Sequence, residues 1–190
     1  MKICIFGAAS SKIDNMYIQK VEALGEALAA AGHSLIFGAG NDGLMGAAAR
    51  GFTKGEGKTI GVIPNFFRDE SLSEIYKCSE LIFTETMHER KHTMEDLADA
   101  FIIVPGGIGT FEEFFEVLTL KQLGRHGKAM VIYNIDGFYD ELQEFLKTVT
   151  DKKFIVFELD DLYAVLNTSD EVVKYLDNYA PKITLCKRDG

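Results

Sequence analysis

The sequence predicts an α/β protein: a Rossmann-like, doubly wound and mostly parallel sheet of about six or seven strands, with helices on both faces. Three observations carry this. Short apolar runs alternate with amphipathic segments of helical period, the pattern of successive βα units. The apolar runs are continuous rather than alternating, as strands buried on both faces must be. Three of them are followed by loops rich in glycine or serine, Gly7–Ser11, Gly38–Gly43 and Gly106–Thr110. Ligands of open α/β sheets bind at such places, outside the carboxyl ends of the strands.

In order, strands are expected at Lys2–Phe6, Ser34–Phe37, Thr59–Ile63, Leu81–Thr84, Phe101–Val104 and Ala129–Tyr133, with a further short run at Ile155–Phe157. Helices are expected at about Met16–Ala31, Gly43–Lys54, Met87–Ala98, Thr110–Leu123, Gly137–Thr148 and Asp160–Tyr179. Pro105 ends the fifth strand, and Gly106, Gly107 and Gly109 make a loop closed by Thr110 as a helix cap. The helix that follows carries Phe111, Phe114, Phe115 and Leu118 at helical spacing on its buried face. No low-complexity linker or fixed-period repeat divides the chain. Residues 1–180 therefore read as a single domain and Pro181–Gly190 as a tail.

At 190 residues, 47% hydrophobic and 26% charged, the chain is long enough to bury a sizeable core. A net charge of −9 argues against nucleic acid or an anionic membrane as partner, so an anionic ligand needs a local cationic pocket. Cys4, Cys78 and Cys186 are far apart and odd in number, which suggests reduced cytosolic thiols rather than a disulfide framework or zinc cluster. The first apolar run is stopped by Ser10-Ser11-Lys12-Ile13-Asp14, too soon for a secretory signal. No run approaches transmembrane length, and the expected compartment is the cytoplasm.

Four motifs compete for the function. Gly38-Ala-Gly-Asn-Asp-Gly43 has the dinucleotide spacing, but the next strand ends at Ile63-Pro64-Asn65 with no acid for a ribose hydroxyl. Gly55-Glu-Gly-Lys-Thr59 resembles the end of a triphosphate loop, yet it lacks the first glycine and precedes a strand. His88-Glu-Arg-Lys-His92 is a literal H-E-x-x-H, but Arg90 and Lys91 set two cations inside the would-be metal site and no third ligand is recognisable. Pro105–Thr110 is the best phosphate site. A loop without side chains opening a helix leaves backbone N–H groups pointing outward, with the positive end of the helix dipole behind them. Glu112 and Glu113 follow at once, where a plain anion site would not want them. The bland reading is that Thr110-x-x-Glu113 is a capping box and Glu112 merely favours the dipole.

Met87-His-Glu-Arg-Lys91 together with Pro105-Gly-Gly-Ile-Gly-Thr-Phe-Glu-Glu113 resembles the paired signature of the Lonely Guy (LOG) family, cytokinin riboside 5′-monophosphate phosphoribohydrolases often labelled lysine decarboxylases. Gly38–Gly46, Gly61-Val-Ile-Pro64, Asp99 and Leu123-Gly124 agree with it in collinear order over about residues 1–150. Ala8-Ala9, Ala39 and Ile108 depart from the family pattern. The resemblance implies hydrolysis of a nucleoside 5′-monophosphate, such as an adenosine monophosphate, to free base and ribose 5-phosphate, without cofactor or metal. Gly106, Gly107, Ile108, Gly109 and Thr110 would hold the phosphate, with Ser10, Gly40, Gly43, Met87 and Lys91 as further substrate contacts. Glu113 would stabilise the developing oxocarbenium ion and position the attacking water. Glu112 would orient ribose hydroxyls, and Arg90 would fix ribose or phosphate and balance the acids. The resemblance also implies a homodimer. The division of roles between the glutamates and the preferred base stay open, and the rival class is a non-catalytic nucleotide or molybdenum-cofactor carrier. The lysine decarboxylase label finds no lysine in a recognisable pyridoxal phosphate context.

Overall fold

In the computed structural model, which describes residues 1–67 and 75–182, seven apolar segments pair into one sheet. They are β1 (Lys2–Phe6), β2 (Ser34–Phe37), β3 (Thr59–Pro64), β4 (Glu80–Thr84), β5 (Ala100–Ile103), β6 (Ala129–Tyr133) and β7 (Ala164–Leu166). Their order is β4-β3-β2-β1-β5-β6-β7, with every neighbouring pair parallel. Six helices among the described residues complete the α/β architecture: α1 (Asn15–Ala30), α2 (Gly43–Lys54), α3 (Met87–Leu97), α4 (Ile108–Gln122), α5 (Asp140–Asp151) and α6 (Ser169–Asp177).

The pleat divides the core into two layers, since successive side chains point to opposite faces. Ile3, Ile5, Leu35, Phe37 and Ile102 pack with α1, α2 and α6, whereas Cys4, Phe6, Ile36, Phe101 and Ile103 pack with α3, α4 and α5. Winding runs outward from β1 to β4, then returns to lay β5 on the other side of β1. The loops after β1 and β5 therefore open at the reversal point, the expected position of a ligand crevice. They are tied together there: the Ala8 amide donates to the Pro105 carbonyl at 3.1 Å.

Several elements differ from the sequence expectation. Ile155–Phe157 forms no strand, and the expected helix over Asp160–Tyr179 is broken. Leu159–Asp161 is a 3-10 turn, Ala164–Leu166 is β7, and a helix starts only at Ser169. Thr168 and Glu171 make a reciprocal capping box that fixes this start. Helix α5 begins at Asp140 rather than Gly137, because Asp136 and Gly137 have φ of +54° and +71° and cannot join a right-handed helix. Phe115 is more than one-third exposed instead of buried. Pro181 and Lys182 are non-helical, and the rest of the expected tail, with Cys186, lies outside the described residues.

Helices α1 and α2 approach closely through glycine. A Cβ at Gly51 would lie 2.1 Å from the Glu22 carbonyl oxygen, and backbone cannot yield as a side chain can. Gly51→Ala is expected to force the two helices apart and destabilise the protein by about 1–3 kcal/mol, comparable with other overpacked cores. Thermal denaturation should show the melting temperature lowered by roughly 2–10 °C.

Candidate functional site

Helix α4 begins at Ile108, with Gly107 as its cap and no side chain bonded to the cap position. The first-turn amides of a helix have no intrahelical acceptor, so those of Ile108, Gly109 and Thr110 face outward unspent. Ile108 is 89% exposed, and a Cβ at Gly107 or Gly109 would meet no atom within 4 Å. The ground in front of this terminus is open. Gly106 differs: a Cβ there would sit 2.1 Å from the Thr110 hydroxyl, because the buried Thr110 side chain folds back onto the loop. Thr110 is thus the third helical residue and not the cap. The Thr110–Glu113 capping box does not form, and both glutamates lie in the second turn.

The other glycine loop opening a helix is used differently. At the start of α2 the Leu44 and Met45 amides donate to the Ala8 carbonyl, at 2.8 and 3.4 Å. Gly43 is pressed under the first loop, where a Cβ would come within 2.4 Å of the same oxygen. That terminus is occupied by the protein's own backbone.

Arg90 projects from the first turn of α3. Thr86 caps this helix by accepting from the Glu89 amide at 3.0 Å, and the Glu89 carboxylate accepts from the Glu85 amide at 2.8 Å. With its helix fixed, Arg90 is 8% exposed, its Nε donates to the Val62 carbonyl at 3.1 Å, and its Nη1 lies 3.7 Å from Glu113 Oε1. Gly38, just past β2, makes this placement possible, since a Cβ there would lie 1.8 Å from Nη2. Burial pushes the Glu113 carboxyl up to about 7, against the Arg90 guanidinium, which pulls it down.

The neighbouring pair of residues behaves oppositely. Lys91 Nζ donates to Glu112 Oε1 and, at 2.7 Å, to Glu116 Oε2, which holds the ammonium charged. The Glu112 side chain is 53% exposed, against 16% for Glu113. One helical step thus sends Glu113 inward to Arg90 and Glu112 outward to Lys91.

Beside Arg90 is a pocket of about 240 Å³ walled by Met45, Ile63, Pro64, Phe67, Met87 and the Gly38–Gly40 backbone. Of the expected contacts, Gly40 and Met87 reach it. Ser10 is exposed with its hydroxyl accepting from the Lys12 amide at 3.2 Å, and Gly43 serves backbone packing. In the H-E-x-x-H motif, Glu89 serves the helix cap and His92 faces Asp96 at 3.3 Å. Sequence reasoning did not find the Val62 carbonyl, the Gly38 notch or Glu116. Only the last left a trace, its four-residue spacing from Glu112.

A doubly wound sheet with its crevice between β1 and β5 places the chain in the Rossmann-like class of α/β proteins. The family model described as "Possible lysine decarboxylase" matches residues 45–176. Cytokinin riboside 5′-monophosphate phosphoribohydrolases are similar over nearly the whole chain. One of Arabidopsis thaliana is 34% identical over 181 residues, 95% of this chain and 84% of its own length. One of Oryza sativa subsp. japonica is 34% identical over 181 residues, 95% of this chain and 74% of its own. With that similarity added to the geometry, the chain belongs to the LOG family. Among solved structures, the molybdenum cofactor binding protein of Rippkaea orientalis superposes with a TM-score of 0.69 at 19% identity, covering 93% of this chain and 94% of that one. The molybdenum cofactor carrier protein of Chlamydomonas reinhardtii gives 0.68 at 23%, covering 93% and 95%. At these identities the likeness is one of fold. No helix among the described residues is long and apolar enough to cross a membrane.

Gly38→Ala should displace the Arg90 guanidinium while leaving the sheet intact, since the far end of a flexible side chain yields before backbone does. Losing its cation, Glu113 should titrate above the midpoint near 7 expected for the wild type. Carboxyl-carbon NMR of the two proteins reads that shift directly; an unchanged midpoint would show that Gly38 does not set the pair.

Proposed function

We propose that the protein hydrolyses the N-glycosidic bond of an adenosine 5′-monophosphate, plain or N6-substituted, to free base and ribose 5-phosphate. The observation that carries this reading is the half-buried Glu113 carboxyl, poised near neutrality and paired with Arg90, one turn beyond an uncapped helix terminus. The LOG relatives named for the same reaction support it.

The dianionic 5′-phosphate sits at the amides of Ile108, Gly109 and Thr110, where Gly107 and Gly109 leave room for it. Its binding energy fixes the sugar against Glu113. As the bond from C1′ to the base nitrogen breaks, its electron pair leaves with the base and positive charge grows on the ribose ring. Ionised Glu113 stabilises that charge and takes a proton from the water that forms the new C–O bond at C1′; the departing base takes up a proton from solvent, and Glu113 returns its own to solvent before the next turnover. Arg90 offers its remaining N–H groups to the substrate, and the apolar pocket beside it takes the flat base, with Met87 against its face. Glu112 and Lys91 hold α3 and α4 at the spacing the pair requires. Lys91, saturated by two carboxylates, is in the wrong state for a Schiff base, which speaks against decarboxylation. Phe115 and Leu123 stand exposed along α4, apolar side chains suited to the homodimer expected of the family.

Base release from AMP and from N6-isopentenyladenosine monophosphate, beside the dephosphorylated nucleosides, tests the reaction. Turnover of the monophosphates alone is expected, with kcat/KM lowered about 10³-fold in Glu113→Gln and about 10²-fold in Arg90→Ala. No release from any substrate by the wild type would favour a carrier. Because Glu113 acts ionised, kcat/KM of the wild type should rise with pH through a midpoint near 7 and fall away on the acid side. A flat profile from pH about 5 to 8 would remove Glu113 from the chemical step.

A further inference from the structure

We infer that Tyr139 is a positioning residue for the Pro105–Gly107 loop, gripping it at both ends. After β6 the chain makes a tight double bend, with Asp136 and Gly137 both in the left-handed region. The buried Asn134 carboxamide closes this bend: its oxygen accepts from the Tyr139 amide at 2.8 Å, and its nitrogen donates to Asp140 Oδ1 at 2.7 Å. The bend throws the Tyr139 side chain under the end of β5, where it is 1% exposed. There its hydroxyl donates to the Val104 carbonyl at 2.8 Å. The ladder between β5 and β6 ends at Ile103, so this carbonyl lies beyond the paired register. The ring stands edge-on to Phe111 in α4, with centroids 6.1 Å apart. One side chain therefore touches the residue just before the loop and a residue in the first turn and a half of the helix after it.

The loop has few other supports. The Val104 amide donates to the Phe6 carbonyl at 2.9 Å, the Ala8 amide holds the Pro105 carbonyl, Thr110 packs against Gly106, and the Gly107 carbonyl accepts only the helical bond from Phe111, while a Cβ at Gly107 or Gly109 would meet nothing. Without the hydroxyl, the Val104 carbonyl is left buried and unpaired, and the α4 amides lose their fixed bearing relative to β5. Burial pushes the phenol well above its ordinary value, so it stays a donor at any working pH.

The inference rests on the phosphate site proposed above, and its test reads that site without requiring turnover. Titration calorimetry with ribose 5-phosphate, alongside KM and kcat for AMP, compares wild type with Tyr139→Phe. Tyr163→Phe is the control: it removes another buried hydroxyl of the same core layer, one that donates to Gln143 at 3.0 Å rather than to the loop, while keeping the ring's edge-on contact with Phe114. Tyr139→Phe should weaken ribose 5-phosphate binding about tenfold and raise KM by a like factor. Its kcat should fall as well, by no more than about tenfold, because phosphate binding also places the sugar against Glu113. Tyr163→Phe should lose thermal stability but bind as wild type. Phe111→Leu removes only the ring contact and should shift binding in the same direction, which keeps the test alive if Tyr139→Phe does not fold. Wild-type binding in the variants at Tyr139 and Phe111, or equal weakening in the Tyr163 control, overturns the inference. A wild type that binds ribose 5-phosphate but releases no base removes the hydrolysis reading and leaves this one standing; a wild type that binds none removes both.

Discussion

A guanidinium buried over the sheet is the constraint around which the cleft is arranged. Arginine cannot shed its charge, so a buried one must find acceptors. Arg90 takes them from two elements, the Val62 carbonyl on β3 and the Glu113 carboxylate on α4, and it needs Gly38 beyond β2 to lack a side chain. Four elements are thereby committed to one side chain. The pairing is also incomplete. At 3.7 Å the two charges are near but not in a short bidentate contact, which would drive the carboxyl well below its ordinary range. Desolvation wins instead, and the carboxyl rises to about 7. The arrangement leaves the carboxyl able to titrate near neutrality rather than locked into an ion pair.

Lys91 and its two carboxylates have a different physical role. Ion pairs that keep contact with solvent contribute little to stability, about 0–1 kcal/mol each, so the value of these half-exposed pairs is geometric. They join the exposed flank of α3 to that of α4, on the side away from the Arg90–Glu113 pair. The helix period explains the division: adjacent residues diverge by about 100°, so one glutamate of a Glu-Glu pair can serve the cleft only if the other does not.

That division marks the limit of what was legible in the sequence. Strands β1 to β6 could be read because each carries an apolar run bounded by loop residues, the pattern that burial on both faces demands, although the edge strand β4 is largely half-buried or exposed. Strand β7 could not, since Ala164-Val-Leu166 lies between an acidic turn and an amphipathic helix and blends into the helical period of both. The capping box at Thr168 and Glu171 was the available sign of a boundary. At α4 the same four-residue spacing misled, because Thr110-x-x-Glu113 satisfies the capping pattern while Gly107 is the real cap. Moving the cap by three residues, from Thr110 to Gly107, carries both glutamates from the first turn to the second. Arg90 and Glu113 were legible through the family signature. Their contact through a notch at Gly38 was not, because it depends on three segments distant in sequence.

The two glycine loops show why a motif must be followed to its amides. Both open helices after parallel strands, and Gly38–Gly43 has the better-known spacing. Yet the α2 terminus spends its amides on the Ala8 carbonyl, while the α4 terminus leaves its own to solvent. An anion placed at α4 then has Glu113 and Arg90 one turn further along, and the apolar pocket on the far side of Arg90. On the reading proposed above, anion site, charged pair and apolar pocket would take phosphate, ribose and base in turn. A protein that only carried a phosphorylated ligand would gain nothing from a desolvated carboxylate in the middle of that series, where it repels the ligand's own charge. Its presence makes sense when positive charge develops there for the duration of a transition state.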